Sequence, residues 1–386
     1  MAKHELKCVS MFTGAGLLDE GLRQAGLEAG VCYEADTDAC RSARLNGFPA
    51  EQLWFGPPPR KNGRIKFPPG VPGDIRTFAE LPPADVVWGG PPCQPFSMAS
   101  NPSKPGHAGR LGVKCDKGRL LLDLVAAGVA SRARVVLVEN VAQAAGPEIL
   151  KRIAALAPGY EVIVAKFNAM SWLPVVRKRV FLLVVRKPLA AKTKAALEKA
   201  EPPADCGLTL RDCIGHLRGL PAYEHEAPGA HQVVAPTPPQ AEIMKHLGPG
   251  CNWTDVPVRV IRRFGLPCIR MCAACRHEFA RNINREPNCP ECGARRNRRS
   301  TLFRRLSWDD RAHVLVTEPT SNLTFQAHPD GRRLLSVQEY MALQGLRSTY
   351  RLCGSNRSKL KQLGNGVPAP AARWIGKVIS SVLLGR

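Results

Sequence analysis

The sequence predicts a doubly wound α/β fold joined to a second, smaller domain that carries a cysteine ribbon. Three observations support this. Through the first half of the chain, short β-branched runs alternate with amphipathic stretches, the texture of a sheet covered by helices on both faces. After Lys187 that alternation gives way to a Lys/Ala helix, a Pro/Gly/His-rich stretch and an Arg-rich cysteine cluster. At 386 residues the chain is long enough for two or three domains of about 150 residues each.

Taken in order, residues 6–12, 30–34, 85–88, 135–139, 160–166 and 180–185 read as buried strands, because each is a short apolar run without helical period. Leu120, Leu121, Leu124, Val125 and Val129 recur at helical spacing, and residues 149–156 form another helical stretch. Segments 55–72 and 99–118 are Pro/Gly/Lys loops, long enough to suggest function, and Lys104, Arg110, Lys114 and Lys117 make the second a candidate lid. The expected domains are 1–187, 188–354 with the ribbon near 268–296, and a carboxy-terminal element, 355–386, that completes the first.

Composition narrows the function. The chain has 55 Lys+Arg against 32 Asp+Glu, a formal charge of +23, yet 44% apolar and 23% charged residues are ordinary globular values. The excess charge therefore sits on a folded surface, and a polyanion is its natural partner. The sequence has no run of about 18 apolar residues and no secretory leader, so a cytoplasmic protein without a membrane partner is expected. Five of the 14 cysteines crowd into residues 268–292, which favours metal binding and catalysis over disulfides.

Phe12-Thr13-Gly14-Ala15-Gly16 lies between the first strand and a helical stretch, where Gly14 and Gly16 let backbone N–H groups approach a ligand. Glu34 closes the second strand, where a carboxylate can take two ribose hydroxyls, and Asp74-Ile75 can reach an adenine amino group. A glycine turn beside surface acids is the plainer reading of these residues alone. Gly89-Gly90-Pro91-Pro92-Cys93-Gln94-Pro95-Phe96-Ser97 then puts a thiol on a proline-stiffened loop at the carboxyl end of the sheet. Further motifs are Glu139-Asn140-Val141, Arg177-Lys178-Arg179 and Gln362-Leu363-Gly364-Asn365-Gly366-Val367-Pro368.

In this order and at these distances the motifs resemble the DNA cytosine-5 methyltransferase family, over roughly residues 6–186 and 303–386. The stretch from His328-Pro329-Asp330 through Arg333-Leu334 to Glu339, and Leu343-Gln344-Gly345, resembles the segment that supports the family's target-recognition domain. The resemblance implies a Rossmann-like methyltransferase sheet and S-adenosylmethionine as cofactor, held by Phe12, Gly14, Gly16, Glu34, Asp74, Ile75, Pro91, Asn365 and Val367. It assigns Cys93 as nucleophile, Glu139 as the acid at cytosine N3, Arg177 and Arg179 as cations near the pocket, and Asn140 as a positioning residue. Two positions depart from the family pattern: Leu17 replaces a second consecutive Gly, and Val175 replaces a Gln ahead of the Arg-x-Arg element. No side chain identifies itself as the base that removes the C5 proton.

Cys272-x2-Cys275 and Cys289-x2-Cys292 fit a four-thiolate zinc ribbon, since each pair forms a turn presenting two sulfurs to a tetrahedral ion. Cys268 is read as a free thiol beside it. Residues 259–305 hold 13 Arg, no Lys and three Glu, a formal +10. A zinc staple does not need so many arginines, so Arg295, Arg296, Arg298 and Arg299 are expected to meet DNA. The sequence thus points to a monomeric DNA (cytosine-5)-methyltransferase acting on duplex DNA, of prokaryotic or phage type and paired with a restriction endonuclease. The alternatives are the tRNA-methylating branch of the family and a catalytically silent nucleic-acid-binding protein.

Overall fold

The first strand, β1 (Cys8–Met11), is buried along its whole length, as expected of a strand covered on both faces. The computed structural model describes residues 6–52, 60–61, 64–65, 81–96, 112–219, 222–223, 231–252, 255–264, 272, 274–275, 277, 289–294, 303–313, 315 and 325–385. Around β1 stand β2 (Val31–Glu34), β3 (Ala50–Gln52), β4 (Val86–Gly89), β5 (Val135–Asn140), β6 (Tyr160–Asn168) and β7 (Lys178–Arg186). They make one seven-stranded sheet in the order β3-β2-β1-β4-β5-β7-β6. All neighbours pair parallel except that β7 runs antiparallel to both β5 and β6. The connection between β6 and β7, residues 169–177, is too short to hold a crossover helix, so these two strands form a hairpin.

The chain winds outward from β1 to β3, returns to β4 and winds the other way. The strand order therefore reverses between β1 and β4, and the carboxyl ends there are where open α/β sheets hold ligands. Helices α1 (Leu17–Arg23), α2 (Thr37–Leu45), α3 (Asp116–Ala130) and α4 (Pro147–Leu156) flank the sheet. Leu121, Leu124 and Val125 of α3 and Ile149 and Ile153 of α4 share one apolar cluster with Val87, Val136, Val138, Leu182 and Val184. Every strand and helix read from the first half is present. The edge strand β3, three residues with one side chain buried, has too little apolar pattern to be read in advance.

The described chain divides into two compact units. The larger comprises Met1–Cys206, Gln344–Gly354 and Asn365–Arg386, and the smaller Gly207–Leu343 and Ser355–Gly364. These bounds differ from those drawn on sequence texture. Helix α5 (Lys187–Lys199) reads as the start of a new domain by composition, yet it buries Ala190 and Thr193, and Lys192 Nζ donates to Val382 O at 2.8 Å. Segment Gln344–Gly354 belongs to the larger unit because Gln344 O accepts from Ala369 N and Arg351 pairs with Asn46. Ser355–Gly364 belongs to the smaller one, where Lys359 Nζ meets Gln232 Oε1 at 3.0 Å.

The smaller unit has its own core, with Phe303 stacked on Phe325 at 5.2 Å beside Ile243, Val256 and Ile261. Its polar anchor is Glu339, which accepts two hydrogen bonds of 2.7 Å from Arg333 and one from Ser336 N, and lies 3.1 Å from His328 Nε2. Burial pushes that carboxyl up, but Arg333 and His328 outweigh it and hold it well below the usual range. His231 is buried between Ser336 Oγ and Leu217 O, each at 2.7 Å, so it acts as a hydrogen-bonding residue. No helix among the described residues is long and apolar enough to cross a membrane.

Candidate active site

The sheet brings the sequence-selected residues to its carboxyl ends. Cys93 follows β4 on Gly90-Pro91-Pro92, and a tight turn closes the loop with Phe96 N donating to Cys93 O at 3.0 Å. Glu139 and Asn140 end β5 next door. Asn140, fully buried, donates from Nδ2 to Pro91 O at 3.1 Å and accepts Val141 N at 2.9 Å, which ties the cysteine loop to the strand that carries the acid. Glu139 is buried; its Oε1 has no hydrogen-bond partner among the described residues and lies 3.6 Å from Arg179 Nε. A Cβ on Gly90 would come within 3.6 Å of Glu139 Oε2, so the absent side chain leaves room beside the carboxyl.

Burial and neighbouring charges act on Glu139 and Cys93 together. Burial pushes the Glu139 carboxyl above its usual value, with Arg179 and Arg177 pulling it back only in part. Burial and then Glu139 push the Cys93 thiol up, against Arg179 and Arg177. Arg177 is buried and its Nη2 donates to Gly366 O at 2.9 Å, so it secures the carboxy-terminal element while its charge acts on the acid and the thiol. Burial and Arg179 lower its guanidinium to about 9, which leaves it charged at neutral pH. Arg179 is the guanidinium that faces the acid.

The glycine loop closes β1. Phe12 takes φ 54, a left-handed backbone that costs a residue with a Cβ about 1 kcal/mol, and Gly14 (φ 60) and Gly16 (φ 85) follow in the same region. Glu34 Oε2 accepts Gly14 N at 2.6 Å, and its Oε1 accepts Ala35 N and Asp36 N at 2.9 and 2.7 Å. Burial raises this carboxyl, and the backbone donors counter that shift. Among the described residues nothing stands within 4 Å of a Cβ on Gly14, and beside it is a carboxylate that retains lone pairs, which fits a hydroxyl-bearing cofactor. Pro91 and Val367 are buried; Asn365 is exposed.

In the smaller unit, the Sγ atoms of Cys272, Cys275, Cys289 and Cys292 all lie within 4.8 Å of one another. Cys272 and Cys292 approach to 3.6 Å, as do Cys275 and Cys289. Tetrahedral Zn–S bonds of about 2.3 Å would set sulfurs about 3.8 Å apart, so the four thiols fit a zinc ion. Among the described residues Ala294 packs against the two buried cysteines, Cys272 and Cys289.

Residues 60–381 match the family model described as C-5 cytosine-specific DNA methylase. The chain belongs to that family. It is 27% identical over 97% of its length to the type II methyltransferase M.PspPI of a Psychrobacter species, covering 79% of that protein. To M.Eco47II of Escherichia coli it is 25% identical over 97% of its length, again covering 79% of the relative. A solved structure described as a prophage-encoded E. coli DNA modification methyltransferase has the same fold, with TM-score 0.60, 18% identity and coverage of 98% and 99% of the two chains. The chain is thus an enzyme of the cytosine-5 DNA methyltransferase class with a Rossmann-like sheet.

Within the family frame, both departures have a structural account. Leu17 packs on the terminal element, where a Cβ on Gly366 would lie 2.2 Å from Leu17 Cδ2, so the chain pairs a leucine at one position with a glycine at the other. Val175 is buried and its N–H donates to Leu173 O at 2.7 Å, so apolar packing occupies the place of a glutamine side chain. Asp74, Ile75, Lys104, Arg110, Cys268, Arg295, Arg296, Arg298 and Arg299 lie outside the described residues. Sequence reasoning missed Asp19, which is buried and takes a 2.8 Å hydrogen bond from Trp88 Nε1, and Tyr350, whose hydroxyl reaches Ala15 O at 2.6 Å. An acid three residues after a glycine loop and a lone tyrosine far along the chain give no local signal of either contact.

Proposed function

We propose that this enzyme methylates C5 of a cytosine drawn out of duplex DNA, with S-adenosylmethionine as donor and a transient bond between Cys93 Sγ and C6. The observation that carries the reading is the placement of Cys93 beside a buried Glu139 whose Oε1 has no hydrogen-bond partner among the described residues and faces Arg179. The Cys93 thiol loses its proton to water and adds as the thiolate to C6, the ring's double-bond electrons shift toward N3, and Glu139, biased by burial toward its protonated form, donates its proton there. The ring becomes an enamine with nucleophilic C5. The cofactor supplies a methyl group on a sulfonium. Once C5 carries the methyl group, loss of the C5 proton to a base expels Cys93 Sγ from C6 as a thiolate, and N3 returns its proton to Glu139.

Glu34 and the backbone around Gly14 hold the ribose in this reading, Phe12 lies against the adenine, and Asn140 keeps the cysteine loop on β5. Extrusion of the base belongs to the proposal because a stacked cytosine closes its C6 edge to a thiol. The four cysteines hold a structural zinc ion, and Arg295, Arg296, Arg298 and Arg299 contact DNA. The relatives' designation as type II methyltransferases supports pairing with a restriction endonuclease.

A duplex carrying 5-fluorocytosine at the target tests the mechanism. Fluorine cannot leave C5 as a cation, so the C6 thioether should survive denaturation and run with the protein on a gel, dependent on both cofactor and Cys93. Retention of full methylation by Cys93→Ala would overturn it.

A further inference from the structure

We infer that Tyr350 is a positioning residue for the cofactor, acting through its hydroxyl on the carbonyl of Ala15. The inference rests on the reading of the Gly14–Gly16 turn as the cofactor loop. Ala15 sits between two glycines of positive φ, and the turn has a packed back and an open front. At Gly14 no described residue stands within 4 Å of an added Cβ, whereas at Gly16 the same atom would lie 2.7 Å from the Phe48 ring and 3.1 Å from Tyr350 Oη. The back of the turn is thus set by Phe48 and Tyr350. Tyr350 is buried, and its Oη donates to Ala15 O at 2.6 Å.

Tyr350 is itself held. Arg351 next to it exchanges two backbone bonds with the Asn46 side chain, at 2.7 and 3.0 Å, and Cys353 N donates to Ser42 Oγ at 2.7 Å. Both partners lie at α2, which follows the strand carrying Glu34. The segment that supplies Tyr350 is therefore registered against the same part of the sheet as the carboxylate that accepts Gly14 N. One hydroxyl on the carbonyl and one carboxylate on the amide fix the turn from opposite ends, so the direction of its N–H groups is set before a ligand arrives.

Tyr350→Phe keeps the ring and removes only the oxygen. Loss of one buried hydrogen bond is expected to raise the S-adenosylmethionine Kd about three- to tenfold, with kcat at saturating cofactor and KM for DNA close to the parent. A residue that only fills the core would lower the melting temperature and leave the cofactor Kd alone. Hydrogen exchange of the peptide spanning residues 9–22 gives a readout that needs no cofactor: the variant should exchange faster there and at parental rates in β5 and β7. Ser42→Ala, which loosens the segment without touching the turn, should show a smaller loss in the same direction. If the parent binds no cofactor, the cofactor-loop reading fails. If the parent binds and both variants match it in Kd and exchange, the role of Tyr350 is refuted.

Discussion

At Asp19 the larger unit buries a carboxylate next to the cofactor loop. Burial raises it to about 6, against donors from Ser10, Trp88 and Cys32 that pull it down. In an unfolded chain the same group titrates near about 3.9. Between those values the folded protein binds more protons than the unfolded one, so stability falls as pH rises through the window from about 4 to 6 and stays lower above it. Asp19→Asn keeps an oxygen for Trp88 Nε1 and removes the buried charge. We expect it to gain about 2 kcal/mol over the parent at pH 8 and close to nothing at pH 4, read from urea midpoints. Equal effects at the two pH values would mean that Asp19 does not titrate in this window. That Cys93 and Glu139 follow strands was legible in the sequence; the burial that biases both toward their neutral forms was not, because it depends on which strands lie side by side.

At the scale of elements, the close approach of α1 to the C-terminal helix Ala369–Leu384 is set by Gly21. A Cβ there would lie 2.3 Å from Ala369 O and 2.4 Å from Ala372 Cβ. In an exposed helix Gly→Ala gains up to about 1 kcal/mol from propensity. Here the contact is with backbone, so the two helices must separate, and Gly21→Ala should cost about 1–3 kcal/mol in chemical denaturation. Gly159→Ala serves as the control, because no described residue stands within 4 Å of its added Cβ. A stable Gly21→Ala protein would show that the helices slide apart without penalty. Strand positions were readable from apolar runs, but the reversed direction of β7 depends on a short connection closing as a hairpin, and α5 was misplaced because its Lys/Ala surface hides a small buried face.

For the whole molecule, the formal charge of +23 and the four-cysteine cluster are the features on which the proposed zinc-bound recognition unit rests. Protein purified without chelator should contain one zinc per chain, and Cys275→Ser should lose it. Because the glycine loop proposed to hold the cofactor and the cysteine cluster belong to different units, cofactor affinity by calorimetry should survive that loss while duplex DNA binding weakens. Absence of zinc from the parent protein, or loss of cofactor binding together with the metal, would contradict this division. With the cysteines intact, an Arg295, Arg296, Arg298 or Arg299 to Ala change at a guanine edge should cost about 1–3 kcal/mol and relax one base position. A change at a phosphate should weaken all sequences alike.

Residue types and spacing by themselves determined the sheet's strands, the cysteine loop, the acid after β5, the glycine loop and the two Cys-x2-Cys pairs. Each is a local signal, a short apolar run or a turn whose conformation needs particular residues. Tertiary structure alone decided the strand order that sets Cys93 beside Glu139, the bond from Asn140 to Pro91 O, the pairing of Leu17 with Gly366, and the reach of Tyr350 to Ala15. It also decided that residues 344–354 and 365–385 return to the larger unit on either side of a stretch that does not. These contacts join residues far apart in the chain, and their energy comes from burial and close packing, which no window of neighbouring residues contains.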